Sequence, residues 1–257
     1  MTGSKDHYYN KSKQEGYRAR SAYKLKQLDR EVGLLPSDGT VVDLGAAPGG
    51  WLQVAAEAVG PSGRVIGVDF QRIPDFEDHD VETIRGDVTE DETKERVREA
   101  AGGPVDTVLS DMAPNMTGEY SVDHARSVHL ARQALETALD LLDTGGDFAV
   151  KVFDGQDFAA FREDCEAEFE YVRVLSPDAS RDSSSEVYVV GKGRLTTPLR
   201  EGDEVDVEVV DTGDEGDGIA YVDGYTLFVS DAEPGDAVTV EVTGIKPRFG
   251  FAEVVDA

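Results

Sequence analysis

The 257-residue sequence is short of the residues that staple or metallate a protein: it holds one cysteine, Cys165, and four histidines. A single thiol excludes an intramolecular disulfide and any cysteine-rich metal site. Cys165 falls in a helix-like stretch and reads as a structural thiol rather than a nucleophile. His124 and His129 are five residues apart, too poorly aligned to share a helical face, and no histidine pair stands at i, i+4 spacing. No metal site is expected. Long hydrophobic runs are missing as well. Without a signal peptide or a run of about eighteen apolar residues, the chain is expected to be soluble, cytoplasmic and independent of membrane. Basic residues are scarce, with 25 Lys and Arg against 53 Asp and Glu, for a net charge of −28.

Phosphates repel carboxylates, so this charge taken alone argues against a nucleic-acid partner. Its distribution argues otherwise. Residues 1–30 carry eight Lys or Arg and three Asp or Glu. A strongly acidic body with one basic arm is the pattern of a protein built for high salt, where surface carboxylates hold water and repulsion is screened within a few ångströms. Recurring apolar periodic segments exclude a disordered acidic chain. Within the arm, residues 8–13 read as polar and mobile. Residues 18–28 read as a helix with Ala22, Leu25 and Leu28 on one side and bases on the others. A solvated charged face is the ordinary meaning of such a helix. In an acidic chain its bases favour phosphate contact.

The strict G-x-G-x-x-G dinucleotide spacing is also absent. In its place stands Val41-Val42-Asp43-Leu44-Gly45-Ala46-Ala47-Pro48-Gly49-Gly50-Trp51. It is an apolar run that breaks into a small-residue turn and continues as a helix. An ordinary strand-to-helix turn is one reading. The other is the Gly-rich loop at which open α/β sheets hold a nucleotide-like ligand, since a backbone approaches a ligand closely only where no Cβ intervenes. Strand and helix signals then alternate. Strands are expected at 40–45, 64–70, 81–87, 105–111 and 148–153, and helices at 50–59, 90–101, 122–142 and 156–168. Residues 171–175 and 186–190 read as an antiparallel hairpin. The fold class is therefore α/β, a Rossmann-like and mostly parallel sheet with one reversed strand. Past residue 193 the pattern changes to short alternating runs at 204–209, 218–222, 225–229, 237–242 and 251–255, parted by Asp223-Gly224 and Pro234-Gly235. No helix fits there, and a small five-stranded β-barrel is expected. The domains are thus 1–193 and 194–257.

Residues ending the strands of an open sheet line its ligand crevice. Three of these strands end in acids: Asp69, Asp87 and Asp111. An acid after the second strand suits both hydroxyls of a ribose, and Asp87 can accept a bond from an exocyclic amine. Each alone is equally a turn residue or helix cap. Together with the Gly-rich turn they favour an adenosine-bearing ligand. Lys151 interrupts the buried-strand sequence Phe148-Ala149-Val150-Lys151-Val152-Phe153. A lysine there must pair, reach the surface from the strand end, or lose its proton. Asp111 at the neighbouring strand end and Glu186 at the start of the last strand are candidate partners.

Four segments carry a family resemblance: Asp43-Leu44-Gly45-Ala46-Ala47-Pro48-Gly49-Gly50-Trp51, Ser110-Asp111-Met112-Ala113-Pro114-Asn115, Val150-Lys151-Val152-Phe153 and Ser185-Glu186-Val187-Tyr188. In order and spacing they resemble the FtsJ/RrmJ (RlmE) group of S-adenosylmethionine-dependent ribose 2′-O-methyltransferases. The resemblance implies a catalytic set of Lys24, Asp111, Lys151 and Glu186, and a methyl donor, S-adenosylmethionine, held by Gly49, Trp51, Asp69, Asp87 and Asp111. It implies as substrate a uridine ribose of 23S ribosomal RNA, within the large ribosomal subunit; the sequence leaves the oligomeric state open, with a monomer favoured. The segment 194–257 resembles a TRAM domain through Leu199-Arg200-Glu201-Gly202-Asp203, Gly216-Asp217-Gly218-Ile219-Ala220 and Pro234-Gly235-Asp236. In it, Lys246-Pro247-Arg248-Phe249-Gly250-Phe251 interleaves base and aromatic as an RNA-touching hairpin would. A purely stabilising domain is the alternative.

The residue types suit that chemistry. Methyl transfer from a sulfonium is an in-line displacement in which positioning does most of the work. A ribose hydroxyl is a poor nucleophile that benefits from losing its proton, with Lys151 as acceptor and Asp111 and Glu186 orienting it. Alternatives are a tRNA ribose methyltransferase on the same fold and a non-catalytic RNA-binding assembly factor. A small-molecule methyltransferase is disfavoured by the basic arm and the appended barrel. From charge alone, folding and activity are expected to survive or require molar salt, which thermal melts across a KCl series would check.

Overall fold

A computed structural model describes residues 3–180 and 185–255. The chain runs α1 (Gly3–Gln14), α2 (Ala22–Val32), β1 (Thr40–Leu44), α3 (Gly50–Val59), β2 (Arg64–Asp69), β3 (Glu82–Arg85), α4 (Asp91–Ala101), β4 (Val105–Ser110), α5 (Tyr120–Leu141), β5 (Leu142–Phe153), α6 (Phe158–Glu166), β6 (Phe169–Leu175) and β7 (Glu186–Arg194). These strands form a seven-stranded sheet in the order β3-β2-β1-β4-β5-β7-β6. Only β7 runs against its neighbours, the single reversed strand that the final hairpin requires.

Alternate side chains along the central strands enter two cores, one on each face of the sheet. Val42, Leu44, Val108, Phe148 and Val150 pack with α5 and α6 through Val128, Leu135 and Phe161. Val41, Leu109, Tyr188 and Val190 pack with α2 and α3 through Leu25, Leu28, Trp51 and Leu52. Strands covered on both faces need apolar residues on both, which is why Val41-Val42 in β1 and Val108-Leu109 in β4 are apolar at consecutive positions.

The arm differs from its sequence reading. Residues 8–13 belong to helix α1 rather than to a mobile tail. Tyr8 packs on Tyr23 with ring centroids 5.4 Å apart and its hydroxyl accepts from Gln27 Nε2 at 3.0 Å. Ser12 Oγ donates to Tyr9 O at 2.8 Å. The order comes from tertiary contacts that no local pattern encodes. Helix α2 starts at Ala22, four residues later than expected, and β3 stops at Arg85, leaving Asp87 in the following turn.

Beyond β7 a second core forms around Leu199, Leu227, Val229 and Val240. Its strands are β8 (Glu204–Glu208), β9 (Asp211–Thr212), β10 (Gly218–Val222), β11 (Tyr225–Ser230), β12 (Ala237–Ile245) and β13 (Phe249–Val254). They form a curled sheet in the order β8-β12-β13-β11-β10-β9. The sixth strand, β9, has two residues, too few to show an alternation. This sheet abuts the amino-terminal edge of the parallel strands. Thr144, near the start of β5, bonds Thr196 through their hydroxyls at 2.7 Å, and Lys246 Nζ pairs with Glu170 Oε1 at 2.8 Å.

Cys165 is fully buried among the residues of the α5–α6 core, and burial pushes its thiol up to about 12. It is expected to resist a disulfide-exchange reagent in the native protein at neutral pH and to react once denaturant unfolds the chain. Absorbance of the released thiolate would measure both.

Candidate active site

Four elements bring their polar residues together at the carboxyl edge of the sheet. Asp111 directly follows β4, Lys151 lies near the end of β5, Glu186 opens β7 and Lys24 sits in the first turn of α2. Strand order makes this possible, because β4, β5 and β7 are consecutive neighbours. Lys151 Nζ donates to Asp111 Oδ1 at 2.8 Å and to the Asp111 backbone carbonyl. Lys24 Nζ donates to Glu186 Oε1 at 2.5 Å and stands 3.9 Å from Asp111 Oδ1. Both lysines are 6% exposed, so each ammonium must find its partners within the protein. Ser180 Oγ also donates to Glu186 Oε1, at 2.9 Å. The expected set of four therefore converges, with one difference in wiring. Sequence reasoning paired Glu186 with Lys151, whereas Glu186 is bonded by Lys24.

Tyr188 completes the cluster and was given no role from sequence. Its hydroxyl donates to Asp111 Oδ1 at 2.6 Å, and Lys24 Nζ lies 5.6 Å from its ring centroid. Burial together with the carboxylates of Asp111 and Glu186 pushes the phenol well above its ordinary range, which keeps it a hydrogen-bond donor. Only the register of β5 on β7, which sets Lys151 opposite Tyr188, reveals this partnership. His124 is a second support. Its Nδ1 donates to Phe153 O at 3.0 Å and its Nε2 accepts from the Asp157 N–H at 3.1 Å, which fixes the chain as it leaves β5.

Beside the cluster opens a cleft of about 730 Å³ whose lining includes Gly45, Asp69, Phe70, Asp111, Met112 and Asn115. Gly45 has φ 76°, and a Cβ there would come within 2.2 Å of Met112 Cγ, so this turn accepts only glycine. Of the five expected donor ligands, Asp69 and Asp111 line the cleft. Asp69 also shapes it, since its two oxygens accept from Ala47 N at 2.9 Å and Gln71 N at 2.7 Å. Asp87 lies between the lining residues Gly86 and Val88, and its Oδ1 accepts from the Thr89 amide and hydroxyl. Gly49 is buried with φ 104°, packed toward Phe76 and Arg18. Trp51 is 2% exposed. Its indole N–H donates to Ser21 O at 2.8 Å and its ring lies 5.9 Å from Tyr188, so it braces the loop and β7 together.

The helix that sequence reading offered to phosphates keeps several of its bases for internal use. Arg18 donates to the carbonyls of Pro74 at 2.7 Å and Asp75 at 2.6 Å and stacks 3.6 Å over Phe76. Lys26 pairs with Glu57 at 3.3 Å. Arg20 lies within electrostatic reach of the Tyr188 hydroxyl.

Asp43 discloses what the cleft can hold. It is 2% exposed in β1, and its Oδ1 has no hydrogen-bond partner among the described residues. Burial, with Asp111 and Asp69 nearby, pushes its carboxyl well above the ordinary range. Three carboxyl groups thus converge beneath the Gly45–Gly49 turn. The orphaned Asp43 Oδ1 leaves an unfilled acceptor position between two further acids, a floor of carboxyl acceptors suited to a compact organic cation. S-adenosylmethionine, with a sulfonium and an ammonium beside its adenosine, fits that floor and the paired acids at the strand ends.

Comparison with known proteins bears on the same residues. The model of the FtsJ-like methyltransferase family matches residues 17–194, and that of the TRAM domain matches residues 198–255. The chain is 68% identical over 257 residues to the ribosomal RNA large subunit methyltransferase E of Halorubrum lacusprofundi, covering 100% of this chain and 95% of that protein. It is 66% identical over 254 residues to the protein of the same name from Halobacterium salinarum, covering 98% of each. A Plasmodium falciparum structure described as a ribosomal RNA methyltransferase superposes with a TM-score of 0.63 at 26% identity, covering 69% of this chain and 98% of that one.

Asp43 also yields a pH test. Its carboxyl is raised only in the folded state, so below the ordinary aspartate range, about pH 4, both states are protonated and its burial carries no electrostatic penalty. Above that range the unfolded chain ionises and folding is increasingly opposed, and the penalty levels off at its full value once the folded carboxyl ionises as well. Asp43→Asn is therefore expected to raise the thermal midpoint at about pH 7 relative to the parent, with the gain fading toward about pH 4. Paired calorimetric melts would read this. A midpoint lowered equally at both pH values would assign Asp43 a purely structural role.

Proposed function

The chain belongs to the FtsJ-like methyltransferase family, and from that premise we propose that it methylates large-subunit ribosomal RNA, acting on the 2′-hydroxyl of a uridine ribose in 23S rRNA with S-adenosylmethionine as donor. The name borne by relatives 66% and 68% identical over nearly the whole chain supports the substrate. The observation that carries the chemistry is the Lys151–Asp111 pair, bonded at 2.8 Å at the rim of the donor cleft.

S-adenosylmethionine, when bound, supplies an electrophilic methyl carbon. Asp69 and Asp111 would hold its positive charge with the acceptor oxygen of Asp43 beside them, and Asp69 and Asp87 would accept from the ribose hydroxyls and the exocyclic amine of its adenosine. Lys151 is the proton acceptor. Its nitrogen donates to the Asp111 carbonyl and to Oδ1. In the amine form these two bonds use both hydrogens and leave the lone pair for the ribose hydroxyl. As that oxygen takes the methyl group from the sulfonium, which would depart as a neutral thioether, Lys151 takes the hydroxyl proton, and Asp111 balances the ammonium that results. Tyr188 holds the Asp111 carboxylate in place. Lys24, fixed by Glu186, sets a positive charge where it steadies an oxygen losing its proton. The protein works as a monomer in the cytoplasm, on RNA that belongs to the large subunit. Among the described residues no helix is long and apolar enough to cross a membrane.

Lys151→Ala is expected to lower methyl incorporation about 10²–10⁴-fold, the usual worth of general-base help, while calorimetry finds donor binding unchanged. Near-normal turnover in that variant would remove Lys151 from the role. Mapping 2′-O-methyl positions in large-subunit RNA from cells lacking the protein would identify the nucleotide.

A further inference from the structure

Glu186 Oε1 is a shared acceptor. It takes hydrogen bonds from Lys24 Nζ at 2.5 Å and from Ser180 Oγ at 2.9 Å, two donors from distant parts of the chain. Ser180 closes a turn in which its N–H donates to Pro177 O at 2.8 Å. Ala179, the residue before it, is buried and packs in the α2–α3 core. Its N–H donates to Gln27 Oε1 at 3.0 Å, and Gln27 Nε2 donates to the Tyr8 hydroxyl at 3.0 Å. A backbone N–H can only donate, which fixes the Gln27 amide with its oxygen toward Ala179 and its nitrogen toward Tyr8. Gln27 stands three residues after Lys24 in α2, on the next turn of the same helix surface. One helix therefore carries the ammonium and also the amide that pins the Ser180 turn against the ammonium's own partner.

We propose that Ser180 and Gln27 are positioning residues of the methyl-transfer site, acting through Glu186 to set where the Lys24 ammonium stands. The inference deepens the reading of RNA ribose methylation at this cluster and rests on it. A lysine ammonium is a compact charge on a flexible stem, with no preferred direction of its own. Its acceptor decides its place. Here the acceptor is a glutamate whose backbone is held by the register of β7 on β5, opposite Phe153. Register leaves the side-chain torsions of that glutamate free to rotate. The Ser180 hydroxyl removes this freedom, and the Gln27 amide holds the Ser180 turn in its turn. The Lys24 charge stands 3.9 Å from Asp111 Oδ1, and a charge aimed at an oxygen losing its proton works by preorganisation. An ordinary turn is complete with the Pro177 bond. The hydroxyl bond to Glu186 and the amide bond to Gln27 are additional, and both lead to Lys24.

Ser180→Ala and Gln27→Met, made in the full chain, test this relay. The methionine keeps the length of the stem and removes the amide. Each substitution is expected to lower kcat for methyl incorporation into large-subunit RNA by about 10-fold, within the ~10²-fold that a misplacement of ~1 Å can cost. KM for RNA and the calorimetric affinity for S-adenosylmethionine should stay at parent values. Ser180→Thr, which keeps the hydroxyl, should restore kcat. The double variant should be no slower than Ser180→Ala alone, because both changes act through one contact. In a Glu186→Ala background Ser180→Ala should change nothing further. A loss that falls on KM, a threonine variant no better than alanine, or a serine effect that persists without Glu186 would overturn the proposal. Thermal melts report folding, and Ser180→Ala, at a half-buried position, decides the matter should Gln27→Met fail to fold. NMR of protein labelled with nitrogen-15 at lysine Nζ gives a second readout that needs no RNA. The Lys24 signal, assigned by its loss in Lys24→Arg, should shift in both variants, and an unmoved signal overturns the relay whatever the activity. If the signal shifts but the parent leaves ribosomal RNA unmethylated, the substrate reading falls while the placement of Lys24 by Ser180 stands.

Discussion

The Asp111 carboxylate is the meeting point of three distant parts of the chain. Its Oδ1 accepts from Lys151 at 2.8 Å and from Tyr188 at 2.6 Å, with the Lys24 ammonium 3.9 Å away. No pair of these groups is close in sequence. They meet because β4, β5 and β7 are adjacent and because α2 packs across their ends through Leu25 and Leu28. Buried ammonium groups are tolerated only when paired, so the cluster constrains the fold as much as the fold builds the cluster. The reversed direction of β7 is part of this constraint. It brings Glu186, the first residue of that strand, to the edge where β4 and β5 finish.

Much of this was legible in the chain. Alternating strand and helix signals, acids at strand ends and the small-residue turn after β1 led to the sheet, its one reversed strand and the cleft at its carboxyl edge. A lysine inside an apolar strand led to Lys151. What stayed hidden shares one physical character: it depends on register or on tertiary contact. Tyr188 looks like an ordinary strand tyrosine until β7 is aligned on β5. The Glu186–Lys24 bond depends on where α2 crosses the sheet, which no periodicity encodes. Helix α1 is ordered by Tyr8 against Tyr23, and its own sequence carries little helical signal. Asp43 is a different case. A carboxylate in the midst of Val41-Val42-Asp43-Leu44 is as anomalous as Lys151, and the same reasoning would have marked it.

Two kinds of acid coexist here. Most of the 53 carboxylates face solvent and serve hydration. Asp43, Asp69 and Asp111 are withdrawn from water around the cleft, where each acts on its neighbours. Ionic strength affects the two sets differently, because screening reaches exposed charges and leaves buried ones nearly untouched. Salt can therefore govern whether the molecule stays folded and dispersed while the potential at the reaction centre changes little.

Strand β7 has one further implication. It begins at Glu186 inside the Asp111 cluster and ends at Arg194, where the chain passes into the second core. Because the strand spans the sheet from one edge to the other, the appended module is attached on the far side from the chemistry. Its loops can change with no direct contact to the residues around Asp111. Such an architecture leaves the appended module free to vary while the transferase sheet stays the same.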